Sequence, residues 1–220
     1  MIHIRLIDKG IIEYSEAFAF QSDLFEEHKR NREAEDCLIY CEHPHVYTLG
    51  KHGSQNNLLV SQTFLNTIGA TYHITDRGGD ITYHGYGQLV GYPIINLEHF
   101  SIGLKEYIYR IEEAVIETIG KYGIKGKRVE HATGVWVDAD NQEKKICAIG
   151  VKASRFITMH GFALNVNTDL KYFSYINPCG FTDKGVTSIK ELTGGKDVNF
   201  DEVKKIFATA FARQFGGEIE

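Results

Sequence analysis

Residues 145–166 read KICAIGVKASRFITMHGFALNV and contain two strand-like runs, Lys145 to Ala153 and Thr158 to Val166. Only a few residues connect the runs, so we expect them to pair as neighbouring strands of a hairpin. Such a hairpin interrupts any strict alternation of strands with helices. The segment therefore favours an α+β fold, with a mixed central sheet and helices packed against it.

Similar patterns extend outward from this hairpin. Further strand-like runs are Ile2 to Asp8, Cys37 to Cys41, Ala70 to Thr75, Leu89 to Asn96 and Gly134 to Val137. Helical patterns cover Leu104 to Tyr122 and Phe200 to Phe215, because apolar residues recur there at three- and four-residue steps. Tyr14 to Arg32 also suits a helix, because it lacks glycine and proline and carries mixed charge. Since no repeat, low-complexity tract or linker divides the chain, we expect one domain over residues 1–220.

The composition argues against several classes of protein. Of the 220 residues, 43% are hydrophobic and 24% are charged, as in ordinary globular domains. A formal net charge of -5 gives no basic field for nucleic acid, and four cysteines are too few for a disulfide framework. No segment has the apolar length of a signal peptide or a membrane span. We expect a cytoplasmic protein that binds neither nucleic acid nor membrane.

The segment Arg77 to Gln88 contains four glycines among polar and aromatic residues. Glycine lets the backbone approach a ligand closely, so the segment is either part of a binding site with His84 facing a pocket or a glycine-rich hairpin. It lacks the Gly-Lys-Ser/Thr ending of a phosphate-binding loop and the strand-to-helix setting of a dinucleotide site.

The segment Asn177-Pro178-Cys179-Gly180 places a thiol in a predicted turn. A nucleophilic cysteine needs its ordinary pKa of about 8.5 lowered by a nearby cation or base. Candidates for that group are Lys145, Lys152, His84 and His160. An inert loop cysteine and solvated lysines are the alternatives.

The run Cys41, His43 and His45 alternates in the way that would place three zinc-binding residues on one face of a strand. Pro44 bends the run, and no fourth ligand lies at a familiar spacing. We therefore predict no metal site.

Considered together, these segments resemble the lipoyl(octanoyl) transferase family, whose catalytic domain is similar in fold to biotin and lipoate protein ligases. The resemblance spans most of the chain. It is carried by Arg77-Gly78-Gly79 with Thr82-Tyr83-His84-Gly85, Gln88-Leu89-Val90 with Tyr92-Pro93-Ile94, Lys145 with Ala148-Ile149-Gly150, His160-Gly161-Phe162-Ala163-Leu164-Asn165, and Pro178-Cys179-Gly180. Tyr86 departs from the family pattern, which usually has proline there, and Cys147 places a second thiol near the expected pocket.

The resemblance implies that Cys179 is the acyl-accepting nucleophile and that Lys145 lowers its pKa and relays protons. It further implies that substrate contacts come from Arg77, Gly78, Gly79, Asp80, Ile81, Thr82, Tyr83, His84, Ala148, Ile149, Gly150, Gly161, Phe162 and Ala163. Neither a metal nor another cofactor is implied.

The implied reaction moves an octanoyl or lipoyl group from acyl carrier protein to a lysine amine of lipoyl domains. The acceptors would be the lipoyl domains of 2-oxoacid dehydrogenase E2 subunits and the glycine cleavage H protein. Lys51, Arg128, Lys152 and Arg155 are candidates for a basic patch that meets an acidic carrier. The alternatives are an ATP-dependent lipoate or biotin ligase, against which Cys179 argues, and a non-catalytic carrier-binding module.

Overall fold

The computed structural model describes residues 2–177 and 185–219. The strands in this part of the chain are β1 (Ile2–Ile11), β2 (Cys37–Glu42), β3 (Val46–Leu49), β4 (Thr71–Ile74), β5 (Ile81–His84), β6 (Gln88–Ile94), β7 (Lys127–Val129), β8 (Ala132–Ala139), β9 (Gln142–Ser154), β10 (Ile157–Asn165), β11 (Gly185–Val186) and β12 (Gly217–Ile219). The helices are α1 (Tyr14–Arg30), α2 (Gln62–Thr67), α3 (Leu104–Gly120), α4 (Ile189–Leu192) and α5 (Phe200–Phe215), with 3-10 turns at Gln55–Asn57 and Leu170–Tyr175.

A large mixed sheet forms the centre of the described structure, with strand order β12-β1-β2-β6-β10-β9-β8-β7. Its middle is antiparallel, whereas β1 pairs in parallel with both β2 and β12, and β11 pairs in parallel with β9. The predicted hairpin is present, because β9 and β10 pair from Ile157 opposite Ser154 to Leu164 opposite Cys147. The predicted α+β class with a mixed sheet is confirmed.

A second, smaller sheet has the order β4-β3-β5. It buries its own apolar cluster, which includes Tyr47, Leu65 and Tyr83. The sequence predicted neither β3 nor this separate sheet. It also left the Arg77–Gln88 segment open between a binding segment and a hairpin, whereas the structure makes part of it the strand β5.

Helices cover both faces of the large sheet. Helices α3 and α5 pack on one face through apolar residues such as Val115, Ile119, Phe207 and Phe211, while α1 packs on the other through residues such as Phe25. Helices α1 and α3 each end two residues before the predicted end, and α5 has the predicted bounds. Within the described ranges, no helix combines the length and apolarity needed to cross a bilayer.

A β-bulge interrupts the pairing of β8 with β9. Val135 lies opposite Cys147 and its neighbour Trp136 lies opposite Lys145, so Ile146 is the extra residue. As a result, Ile146 and Cys147 are both buried in the core beneath α3 and α5. Because of the bulge, the Lys145 side chain lies on the opposite side of the sheet from the core, where it lines a cavity.

Candidate active site

A cavity of about 390 Å³ is lined by residues from both sheets. The residues predicted to form the site that line it are Arg77, Gly79, Asp80, Ile81, Thr82, His84, Lys145, Ala148, Ile149, Gly150, Gly161, Phe162 and Ala163. The fold therefore brings the Arg77 segment and the β9–β10 hairpin to one place. Cys179, the third predicted element of the site, lies outside the described residues.

Two predicted substrate contacts, Gly78 and Tyr83, do not line the cavity. The Gly78 amide donates a hydrogen bond to the Val151 carbonyl at 2.9 Å, which joins the Arg77 segment to β9. Tyr83 is fully buried in the small sheet, where its ring stacks on Tyr172 at 5.0 Å between centroids. Both residues support the cavity wall from behind.

Lys145 lies at one end of the cavity. Its Nζ donates to the carbonyl oxygen of Thr133 at 3.2 Å and lies 4.6 Å from the Trp136 ring centroid. The neighbouring strand β11 pairs Val186 with Lys145, so β11 lies beside this lysine. A cation held by a backbone carbonyl and an aromatic face can stabilise a nearby anion.

Cys147 is the second thiol that the sequence places near the site. It is fully buried in the core beneath α3 and α5 and is not part of the cavity wall. Burial raises the pKa of the Cys147 thiol well above its ordinary value. Cys147 is thus a neutral core residue, for which the bulge in β9 is responsible.

Arg77 is buried and holds the loop that carries it. Its guanidinium donates to the carbonyl oxygens of Thr48 (2.6 Å), Gly78 (3.0 Å) and Asp80 (2.8 Å). These bonds shape the segment before β5, and Gly150 packs against it so closely that a Cβ there would lie 2.8 Å from the Gly78 carbonyl oxygen. The close approach explains glycine at position 150 by protein packing.

His84 is buried and neutral. Burial lowers its pKa to about 3, with the nearby His43 and Arg77 acting in the same direction. His84 Nδ1 lies 2.8 Å from the Gln88 side-chain oxygen, and Gln88 Nε2 donates to Asn165 Oδ1 at 2.9 Å. This network assigns the proton of the neutral ring to Nδ1. His84 is therefore a fixed wall residue and a weak base.

His160 lies at the end of the cavity remote from Lys145. It pairs with Val151, six residues along β9 from Lys145, or about 20 Å of strand. Its Nε2 lies 2.8 Å from Asp76 Oδ1, and Asp76 Oδ2 accepts from Lys152 Nζ at 2.5 Å. Burial nevertheless lowers the pKa of His160 to about 4. The four residues predicted as activators of a cysteine are therefore not together, and Lys145 lies at the opposite end of the cavity from His160.

Several cavity residues were not predicted. Tyr14 lies near His84, the Tyr92 hydroxyl contacts His43, and Trp136 lies beside Lys145. Burial raises the pKa of the Tyr14 hydroxyl to about 12, so it stays neutral. Tyr14 is the first residue of α1, and nothing in a single sequence marks a tyrosine at a helix start as a binding residue. Tyr92, in contrast, belongs to the Tyr92-Pro93-Ile94 motif that carries the family resemblance.

In the structure, no single strand contains Cys41, His43 and His45. Strand β2 ends before His43, whose ring contacts the Cys41 thiol at 3.5 Å and the Tyr92 hydroxyl at 2.7 Å. His45 instead stacks on Tyr172 at 4.0 Å between centroids. In the described part of the chain, no three potential ligands cluster.

Two of the four lysines and arginines proposed for a basic patch are in ion pairs. Arg128 contacts Glu112 and Glu113 at 2.9 and 2.8 Å, and Lys152 contacts Asp76. Such pairs reduce the field available for an acidic partner.

The fold of this chain has known counterparts among solved structures. It is similar to a bipartite lipoate protein ligase from Thermoplasma acidophilum, with a TM-score of 0.76, 16% identity, and coverage of 100% of this chain and 86% of the other. It is also similar to a biotin protein ligase from Aquifex aeolicus, with a TM-score of 0.53, 17% identity, and coverage of 96% and 69%. The fold is therefore that of lipoate and biotin protein ligase catalytic domains, as the resemblance implied.

The sequence then gives the family. Residues 13–212 match the family described as the lipoyl protein ligase A/B catalytic domain, and the chain belongs to it. The chain is 56% identical over 203 residues to the octanoyltransferase of Bacteroides fragilis strain YCH46, covering 90% of this chain and 91% of the relative. The chain is an enzyme of the acyltransferase class, as predicted. Its function is octanoyl transfer in protein lipoylation.

Proposed function

We propose that the chain moves an octanoyl or lipoyl group from acyl carrier protein to a lysine amine of lipoyl domains. The acceptors are the lipoyl domains of 2-oxoacid dehydrogenase E2 subunits and the glycine cleavage H protein. The observation that carries the proposal is a single cavity that joins Lys145 to the apolar surface of Ala148, Ile149, Phe162 and Ala163. The ammonium group suits the reacting thioester, and the apolar surface suits an alkyl chain.

In the first half-reaction, the Cys179 thiolate attacks the thioester carbonyl of the donor. A tetrahedral oxyanion forms and collapses, the bond to the pantetheine sulfur breaks, and the carrier leaves as its thiol after gaining a proton. Lys145 stabilises the thiolate by its charge and supplies that proton. The product is an octanoyl thioester on Cys179.

In the second half-reaction, the amine of the acceptor lysine attacks the new thioester. An amide bond forms, the carbon–sulfur bond to Cys179 breaks, and the amine proton passes to Lys145. Lys145 suits this step better than His84, because the pKa of His84 is lowered to about 3 and its Nδ1 is engaged with Gln88. The enzyme returns to its starting state.

The acyl chain occupies the remaining length of the cavity. Ala148, Ile149, Phe162 and Ala163 offer apolar surface there. Burial of about seven methylene and methyl groups at about 0.8 kcal/mol each contributes up to about 6 kcal/mol before binding costs. That energy favours an eight-carbon chain over short ones.

The exchange needs no ATP, since the thioester donor is already activated, and we propose that no cofactor takes part.

We also propose that residues 1–220 form a single catalytic domain and that it acts in the cytoplasm. The three described cysteines, Cys37, Cys41 and Cys147, are free thiols, as expected in a reducing compartment.

The test compares two donors with one acceptor. The purified protein is mixed with a lipoyl domain and either octanoyl-acyl carrier protein or free octanoate plus ATP and Mg²⁺, and the mass of the lipoyl domain is followed. We expect octanoylation only from the carrier thioester. Octanoylation from octanoate and ATP alone would instead support an adenylate-forming ligase, which has the same fold.

A further inference from the structure

The peptide group between Thr133 and Gly134 is held at both ends. Its carbonyl oxygen accepts a hydrogen bond from Lys145 Nζ at 3.2 Å. Its amide nitrogen donates to Glu112 Oε1 at 2.9 Å. A single rigid, planar unit therefore connects a carboxylate of α3 to the lysine at the end of the cavity.

Glu112 is well placed to anchor that peptide. Its side chain is only 9% exposed, and its second oxygen accepts from Arg128 Nε at 2.9 Å. Arg128 also contacts Glu113 at 2.8 Å and stacks over the Tyr109 ring at 3.9 Å. These contacts compensate the buried charge of Glu112 and fix the direction of the oxygen that accepts from Gly134.

Gly134 brings the peptide close to β9. Its φ is +115°, in the region that favours glycine, and a Cβ there would overlap the carbonyl oxygen of Cys147. The same Cβ would lie 3.6 Å from the Lys145 side chain. The close approach occurs beside the β-bulge that turns Lys145 toward the cavity. Backbone, bulge and carboxylate thus all determine where the Thr133 carbonyl lies.

We infer that Glu112 is a positioning residue for Lys145. It fixes the Thr133–Gly134 peptide, and the oriented Thr133 carbonyl in turn holds the Lys145 ammonium at the end of the cavity. Glu112 does not line the cavity, so it acts through this peptide alone. The inference rests on the proposed function, in which Lys145 takes part in both half-reactions.

The variant Glu112→Ala removes the acceptor, and Glu113→Ala is its matched control. Glu113 shares the ion pair with Arg128, but the amide of Gly134 donates to Glu112. We expect octanoyl transfer by Glu112→Ala to show a kcat lowered by about tenfold or more, with the KM for the carrier thioester unchanged, because a hydrogen bond to a charged group is lost. Glu113→Ala should keep wild-type values.

Glu112→Gln distinguishes positioning from charge. Its amide oxygen still accepts from Gly134, so we expect it to recover most of the kcat lost in Glu112→Ala. Thermal unfolding of each variant reports folding separately from activity, and Glu112→Gln keeps the test informative should Glu112→Ala unfold.

A double-mutant cycle with Lys145→Ala completes the test. If Glu112 acts through Lys145, Glu112→Ala should cause little further loss in the Lys145→Ala background. If the wild-type protein is active, two results would overturn this inference while leaving the proposed function intact. They are equal transfer rates for Glu112→Ala and Glu113→Ala, or fully additive losses of rate in the cycle. Failure of the wild-type protein to transfer octanoyl from the carrier would overturn the proposed function and, with it, this inference.

Discussion

The two ends of the cavity differ in the charge of their titratable side chains, with an ammonium group at one end and neutral histidines at the other. At one end, the Lys145 ammonium rests on a backbone carbonyl and an aromatic ring. At the other end, His84 and His160 have their pKa values lowered by burial, and each ring is hydrogen-bonded to a fixed partner. One strand pair, β9 with β10, supplies residues to both ends.

This difference shows how one cavity can suit two parts of a substrate. A charge near the reacting carbonyl stabilises anions that form there. At the far end, the buried histidines are neutral and backbone carbonyl oxygens hold the Arg77 guanidinium, so an alkyl chain there has less charge to desolvate. Substitutions at the two ends should therefore have different effects.

The largest effect is expected at the charged end, from Lys145→Ala. Loss of a group that stabilises a thiolate and carries protons should lower the rate of octanoyl transfer by about 10²- to 10⁴-fold. Lys144→Ala is the matched control, since the Lys144 ammonium pairs with Asp140 at 2.6 Å. Single-turnover transfer rates compare the two variants, and similar rates would contradict the role of Lys145.

At the far end, Gly161→Ala should mainly damage folding. A Cβ at Gly161 would overlap the carbonyl oxygen of Gly91 on the neighbouring strand β6. We expect a loss of about 3 kcal/mol in the free energy of unfolding, measured with urea. Gly103→Ala is the control, because nothing lies within 4 Å of a Cβ there. Equal stability of the two variants would show that the strands can separate at no cost.

The buried histidines predict a loss of stability in acid. The folded pKa of His84 is about 3, against an ordinary value of 6.5, so between these values the unfolded chain binds the extra proton. The contribution of His84 to the free energy of unfolding is therefore fully present above pH 6.5. It is lost as the pH falls below 6.5, by about 2 kcal/mol at pH 5.

His84→Asn should flatten this dependence. Urea unfolding at several pH values checks the expectation, with His131→Asn as the control, since that side chain is 91% exposed. An identical pH dependence in wild type and His84→Asn would show that the pKa of His84 is the same in the folded and unfolded protein.

The smallest effect concerns chain length. Tyr14 is nearly fully buried and contributes to the far end of the cavity. Tyr14→Ala should enlarge that end and raise the preference for decanoyl over octanoyl thioesters by about fourfold per methylene that gains contact. Tyr86→Ala is the control, because Tyr86 is 48% exposed. Competition between the two donors measures the ratio, and an unchanged ratio would place the chain end elsewhere.

Much of the central sheet could be predicted from local patterns. The β9–β10 hairpin and α5 follow from runs of residues whose period matches their secondary structure. The small sheet was missed because β3 and β5 are only four residues long and β5 follows glycines that are typical of a loop. Its strands are stabilised by contacts between distant segments, which periodicity does not reveal.

The site shows the same division. Ordered motifs predicted Lys145 and most of the cavity wall, whereas the separate orientations of Lys145 and Cys147 depend on a bulge that the sequence does not mark. Glu112 could have been noticed, since it lies four residues after Ile108 and three before Val115, on the apolar face of α3. A charged residue on such a face needs a partner, and here the partners are Gly134 and Arg128.

The intact mass of the protein shows whether the acyl group is carried on Cys179. After mixing with octanoyl-acyl carrier protein and no acceptor, the wild-type protein should gain the mass of one octanoyl group. Cys179→Ala should gain none, while Cys147→Ala should gain it as wild type does. An undiminished gain in Cys179→Ala, or no gain in the wild-type protein, would contradict the account.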